Sequence, residues 1–305
     1  MDFLDALARL ATLDTTNTAE VLAPRRLALS RLGQAGTALL PALFTTLVTP
    51  AEAGTTQTLT RLDALKLALK LENLQNAFYS RALGLTAGGP ANPTVFFGST
   101  AVQTAIQTIQ THQSQHSTLL TTLITNSGGA LDAASRYDFS GSKNGSQAAL
   151  YPDVYTNLDT FLKVAQLLED AGVRVYKGQV TALQSDNALL EAAIRMHSTE
   201  ARHAAHIRTL RRQRGAVVKS WVSPSDTAIT TAGTTADGVY SGEANTLQYI
   251  TSNTTVTKVP FDSTLPINVG TPALSAAAIL AKVAEAFDEP LEAQAAESVL
   301  QLFTY

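Results

Sequence analysis

Glu200 and His203 stand three residues apart in Glu200-Ala201-Arg202-His203. On a helix that spacing puts a carboxylate and an imidazole on one face of a turn, where both can reach one metal ion or two adjacent ones. Three other stretches carry similar misfits. Followed in alternating steps of three and four, one apolar stripe reads Leu62, Leu65, Leu69, Glu72, Asn76, Tyr79. A second reads Val102, Ile106, Ile109, Gln113, His116, Leu120, and a third Leu158, Leu162, Ala165, Glu169, Gly172, Tyr176. The stripe containing the Glu-x-x-His pair reads Leu189, Ala193, Met196, Glu200, His203, Ile207, Leu210. Each places a polar or metal-capable side chain near its middle, where an apolar residue should face the interior.

Burying a lone carboxylate costs several kcal/mol or forces it to take up a proton. Glu72, Glu169 and Glu200 at similar depth would also repel one another. Singly, each has an ordinary reading: a glutamate solvated at the edge of the buried face, a histidine hydrogen-bonded in the core. Four stripes interrupted at one height point instead to a cation, with His116 and His203 as neutral nitrogen ligands. Other clusters carry less. His112, His197 and His206 lie off the stripes and read as solvated. Arg208, Arg211, Arg212 and Arg214 suit the negative end of a helix, facing water or carboxylates. Glu285, Asp288 and Glu289 flank a helix break and read as a structural turn.

The elements that must hold these residues are four helical segments, over about 58–85, 98–126, 153–184 and 187–214. Ser185 or Asp186 can cap the last, so the third and fourth are tightly joined antiparallel neighbours. The second and third are separated by 127–153, rich in Gly, Ser and Asn. That link is long for a hairpin and suits a crossover along a bundle. Residues 216–270, rich in Thr, Ser, Gly and Val, read as loops with short strands. Two short helices are expected at 273–287 and 290–303, the second opened by Pro290.

With these segments in order, the chain resembles the ferritin-like superfamily. In particular it resembles bacterial ferritin-like domain proteins related to plant desiccation-associated proteins. The resemblance is carried by Leu71-Glu72-Asn73-Leu74-Gln75-Asn76-Ala77-Phe78-Tyr79, by 112–116, by Leu168-Glu169-Asp170-Ala171-Gly172-Val173, by Glu200-Ala201-Arg202-His203-Ala204-Ala205, and by Glu285-Ala286-Phe287-Asp288-Glu289-Pro290-Leu291. It covers most of 58–303 and implies an all-α fold: a four-helix bundle (58–214) with one long crossover and a loop-rich C-terminal extension with short helices (215–305) packed on the bundle, while residues 1–57 read as an N-terminal helical arm or an export-signal-like segment. It also implies a dinuclear site of Glu72, His116, Glu169, Glu200 and His203. Gln113 stands where the pattern has a glutamate, and residues 73–131 contain no Asp or Glu to replace it. Four carboxylates balance two divalent ions, and three leave the site one charge short. The expectation is therefore a weakened pair, a single ion, or none, with Gln113, Asn76, Tyr79 and Tyr176 bonding the glutamates in its absence. Iron and manganese suit such ligands, and zinc competes.

Composition limits the remaining classes. The 305 residues are 45% hydrophobic and 15% charged, with a net charge of -3 and no cysteine. Thiolate sites and disulfides are excluded, and a broad nucleic-acid footprint is not expected. No stretch reaches the ~18–20 apolar residues of a membrane span. Arg25-Arg26 and Ala51-Glu52-Ala53 bracket a mildly apolar stretch that outlines a twin-arginine export signal, although Asp2, Asp5, Asp14 and Glu20 precede it. The protein is thus expected either outside the cytoplasm or within it. Two functions compete. One is a metal-binding protein with ferroxidase-like or peroxide-decomposing chemistry. The other is a non-catalytic stress- or desiccation-associated protein, or an assembly component, that keeps the bundle without an efficient site. A homo-oligomer or an assembly partner suits either.

Overall fold

The structure, a computed structural model, describes residues 59–85, 95–252, 255–259 and 275–305. The expected N-terminal arm and export-like stretch lie outside these residues.

Four long helices form where the stripes place them: α1 (Arg61–Ala82), α2 (Thr100–Asn126), α3 (Leu158–Leu183) and α4 (Asn187–Gln213). Each begins on a side chain that satisfies otherwise orphaned N–H groups. Thr60 and Asp63 close a reciprocal capping box on α1, with Asp63 N donating to Thr60 Oγ1 at 3.1 Å. Ser99, Asn157 and Asp186 cap α2, α3 and α4.

The helices pair as two hairpins, α1 with α2 and α3 with α4. The 127–157 crossover runs the length of the bundle. It leaves α2 where Gly129 abuts Leu62, at the start of α1. It enters α3 where Phe161 stacks on Phe78, near the end of α1, with ring centroids 4.9 Å apart. Asp138 shapes the crossover by accepting from Ser140 N and Oγ, Ser142 Oγ and Asn144 N. Its backbone pairs with the chain's C-terminal end: Asp138 N donates to Phe303 O at 2.8 Å and Tyr305 N to Arg136 O at 3.1 Å.

The apolar core falls into two blocks. One gathers Phe78, Phe161, Phe97 and Phe139; the other gathers Leu65, Leu69, Leu120, Ile124 and Met196. Between them lies a layer of buried polar side chains from all four helices.

Every residue of α3 from 164 to 176 is buried. A helix in a bare bundle would keep one face wet; here the extension covers it. Arg208 on α4 grips Asp170 of α3 through two bonds of 2.9 and 2.6 Å and reaches Asp226 at 2.7 Å. Tyr240, ending a 3-10 turn (Thr235–Tyr240), also donates to Asp170, at 2.7 Å. Arg174 pairs with Glu243 at 2.8 Å and donates to Glu289 O. Of the four arginines at the end of α4, Arg208 and Arg214 therefore find carboxylates, Arg214 on Asp159, and Arg211 is buried against Gln166.

The chain next forms a two-stranded hairpin, β1 (Gln248–Ser252) with β2 (Thr255–Val259), then α5 (Ala276–Glu285) and α6 (Ala293–Gln301). The last helix opens after Glu292 rather than at Pro290. Pro290 sits instead in a non-helical strap laid on α3, where Leu291 N donates to Arg174 O at 3.0 Å. A helix beginning at Pro290 would withdraw that N–H. Glu285, before the strap, is held by Lys219, Lys282 and Ser223. Among the described residues, 59–248 and 258–305 fall in one compact unit and 249–257 in another. None of the described helices is long and apolar enough to cross a membrane.

Candidate metal centre

The polar layer brings the six singled-out residues together. α1 supplies Glu72, α2 supplies Gln113 and His116, α3 supplies Glu169, and α4 supplies Glu200 and His203. All are buried except His116, whose side chain is 13% exposed. Glu200 is the hub. Its Oε1 lies 3.5 Å from His116 Nδ1 and 3.4 Å from His203 Nδ1. His116 Nδ1 is also 3.2 Å from Glu72 Oε1, and His203 Nδ1 is 3.3 Å from Glu169 Oε2. Two carboxylate–histidine–carboxylate groups result, Glu72/His116/Glu200 and Glu169/His203/Glu200. In each, the ligand-capable atoms lie within 4.8 Å of one another. Such groups suit first-row divalent ions, whose ligands are carboxylate oxygen and imidazole nitrogen.

The carboxylates are held by donors. Tyr176 Oη donates to Glu72 Oε1 and Tyr79 Oη to Glu169 Oε1, both at 2.5 Å. Gln75 Nε2 donates to Glu200 Oε2 at 3.0 Å and to Leu168 O at 3.1 Å. Gly172 makes room for this arrangement. A Cβ there would stand 2.7 Å from Glu200 Oε2 and 3.2 Å from Gln75 Nε2. Gln113 is wedged among all three glutamates. One end of its amide lies 3.5 Å from Glu169 Oε1 and 3.3 Å from Glu200 Oε2. The other lies 2.9 Å from Glu72 Oε2 and 3.2 Å from Glu200 Oε1. The shorter contacts assign the nitrogen to the Glu72 side and the carbonyl oxygen to the Glu169 side.

Charge explains the shifted acidities. Burial, then repulsion from Glu200, raises Glu72 to about 7 and Glu169 to about 8. Burial also opposes the Glu200 anion, but hydrogen bonds and attraction from both histidines outweigh it and hold its pKa below the usual value. Burial opposes the imidazolium ions, yet the facing carboxylates raise His116 to about 9 and His203 to about 10. The layer thus stores protons where a cation would otherwise sit.

Among the described residues, and besides the Gln75 amide oxygen, two buried atoms in this layer lack a hydrogen-bond partner, Glu169 Oε2 and His203 Nδ1. They are 3.3 Å apart but lack the alignment of a hydrogen bond. An ion between them would use both, so the donor set fits a metal.

Two neighbours escaped the sequence and a third was misplaced. Gln75 was masked by its polar type, although it lies one turn beyond Glu72 on the same helix. His112, expected to be solvated, is half-buried against the layer. Its Nδ1 is 2.9 Å from His203 Nε2, and the two rings are nearly parallel, with centroids 5.2 Å apart. Its i, i+4 spacing to His116 was the available signal. Asn76, expected to bond the glutamates, instead accepts from Gln110 and Ser80.

A family model described as a ferritin-like domain matches residues 60–213. The chain belongs to this family. Comparison with curated proteins gives no match. The matched residues span all four helices, so the ferritin-like bundle and the polar layer coincide. The extension beyond 213 lies outside the match.

Proposed function

We propose that this ferritin-like protein binds a divalent first-row metal, iron or manganese, in the interior of its bundle and uses it in oxygen or peroxide chemistry, either ferroxidase-like or peroxide-decomposing. The observation that carries this reading is the pair of buried carboxylate–histidine groups sharing Glu200, with two ligand-type atoms left unsatisfied. Such an ion, when bound, supplies the redox or Lewis-acid chemistry. The chain's own groups do the rest. Glu72, Glu169, Glu200, His116 and His203 present the ligand atoms. Tyr79, Tyr176 and Gln75 fix the carboxylates in place. The apolar blocks above and below exclude bulk water. Protons held by the layer leave when a cation enters.

A second reading rests on Gln113. Its amide, with Tyr79 and Tyr176, supplies hydrogen bonds that hold the glutamates without an ion. That suits a non-catalytic bundle serving in stress or desiccation protection, or as part of an assembly, inside or outside the cytoplasm. Loading the purified protein with Mn2+ or Fe2+ and measuring bound metal, with oxygen and peroxide consumption, separates the two. The catalytic reading expects metal bound in whole equivalents together with turnover. No uptake and no turnover, with both appearing in Gln113→Glu, establishes the second reading. A fully loaded, active wild type that Gln113→Glu leaves unchanged rules it out.

A further inference from the structure

The two halves of the polar layer share Glu200 but are not equivalent. In the Glu72 half, every ligand-type atom already has a partner. His116 Nδ1 is within 3.2 Å of Glu72 Oε1, Tyr176 donates to the same oxygen, and Glu72 Oε2 receives the Gln113 N–H at 2.9 Å. An amide N–H aimed into this half occupies the direction from which a cation would be bound, and it carries partial positive charge. In the Glu169 half, Glu169 Oε2 and His203 Nδ1 are both buried and unsatisfied. The orientation that turns the Gln113 nitrogen toward Glu72 turns its carbonyl oxygen toward Glu169 and Glu200. The same N–H also reaches Glu200 Oε1, at 3.2 Å, so the shared glutamate is partly engaged; Glu169 Oε2, His203 Nδ1 and the Gln113 carbonyl are the acceptor-type groups left on the other side.

His112 adds to the asymmetry. A metal-binding histidine usually donates its remote ring N–H to an outer acceptor, which fixes the tautomer and aims the ligand nitrogen. His203 Nε2 lies 2.9 Å from His112 Nδ1, which accepts when His112 carries its proton on Nε2. With the proton on His203 Nε2, the lone pair of Nδ1 points at Glu169 and Glu200. Among the described residues, no imidazole forms a hydrogen bond with His116, and its ring centroid lies 6.5 Å from that of His203, against 5.2 Å between His112 and His203.

We infer that the chain binds one cation, in the half formed by Glu169, Glu200 and His203 with the Gln113 carbonyl as fourth ligand, and that His112 is the positioning residue that aims His203 at it. This rests on the metal-binding reading above and adds to it a count, a position and a residue outside the ligand set.

The full-length protein titrated with Co2+, followed by calorimetry and by the cobalt visible spectrum, tests it. Wild type is expected to take up one equivalent. His203→Ala should lose at least tenfold more affinity than His116→Ala, and His203→Gln repeats the comparison with a side chain closer in volume. His112→Leu removes the acceptor and should weaken binding by about 10–100-fold, with a shifted cobalt spectrum. His112→Gln restores an acceptor and should recover most of both. Two equivalents of equal affinity, or equal losses in the His116 and His203 variants, overturn the proposed position while the metal-binding reading stands. His112→Leu matching wild type in affinity and spectrum overturns the role of His112. No cobalt uptake by any folded variant overturns both readings.

Discussion

At the level of single residues, the charge state of the polar layer sets how the protein responds to pH. Glu72 and Glu169 have folded-state pKa values raised to about 7 and about 8, and His116 and His203 are raised to about 9 and about 10. A raised group stabilises the fold fully below its unfolded pKa and loses that contribution as pH climbs through its folded value. All four therefore act in one direction, weakening the metal-free protein from about pH 5 up to about pH 10. Glu200, held below its usual value, acts oppositely and is lost on acidification. The metal-free protein should be most stable in mild acid. A cation displaces the stored protons, so added Mn2+ should raise the melting temperature more at pH 8.5 than at pH 6. Melting curves at the two pH values check this, and an equal gain at both would contradict it. Gly172→Ala tests the same layer sterically. Its Cβ would strike Glu200 Oε2 at 2.7 Å, and a displaced hub should cost about tenfold or more in metal affinity and about 1–3 kcal/mol in stability. Calorimetry and denaturant unfolding read the two effects separately. Gln113→Glu restores the fourth carboxylate. It should destabilise the metal-free protein at neutral pH by adding a like charge, and should add a second equivalent of bound metal, both measurable on one sample.

At the level of elements, the four helices and their polar misfits were legible because periodicity alone sets which side chains share a face. Glu72, Gln113, Glu169, Glu200 and His203 are on interior stripes, and all are buried. Asp186, one of the two caps expected for the fourth helix, is its cap. Where contacts depend on a distant segment, the sequence was silent. Nothing in the spacing of Asp170 announces that Arg208, Tyr240 and Asp226 will meet around it, because those partners come from three separate stretches. Pro290 misled for the same reason. Its type fits a helix start, but the strap it belongs to is held by α3, and that tertiary contact overrides the local preference. Gly178 shows how close the approach is. A Cβ there would lie 2.2 Å from Leu291 O, a backbone atom that cannot rotate away. Gly178→Ala should lift the strap, break the Leu291–Arg174 backbone bond, and cost about 1–3 kcal/mol by denaturant unfolding. Co2+ stoichiometry should hold, because the strap lies on the outer face of α3.

At the level of the whole molecule, the boundary of the family match and the boundary of the stable fold differ. Residues 60–213 contain the four helices and the whole polar layer. They do not contain what covers α3. Val239, Leu291, Val299, Leu300 and Phe303 belong to the same apolar cluster as Phe78 and Phe161. Asp170 and Arg174, buried in α3, take partners from 239–243 and 289, and Arg208, which grips Asp170, takes Asp226. Removal of those segments would expose an apolar face and leave Arg174 without Glu243 and the carbonyls that bind it. Breaking one buried pair in this way costs about 3–5 kcal/mol, comparable with the ~5–15 kcal/mol that holds a typical domain together. The crossover would also lose its backbone bonds to Phe303 and Tyr305. A chain ending at 213 should therefore be aggregated or only loosely packed, with helical far-ultraviolet circular dichroism but no sharp thermal transition. Co-expression with a separate 214–305 fragment should restore a soluble complex that melts cooperatively. If the 60–213 fragment alone melts cooperatively and binds Co2+ like the full chain, the extension is an appendage and not part of the fold.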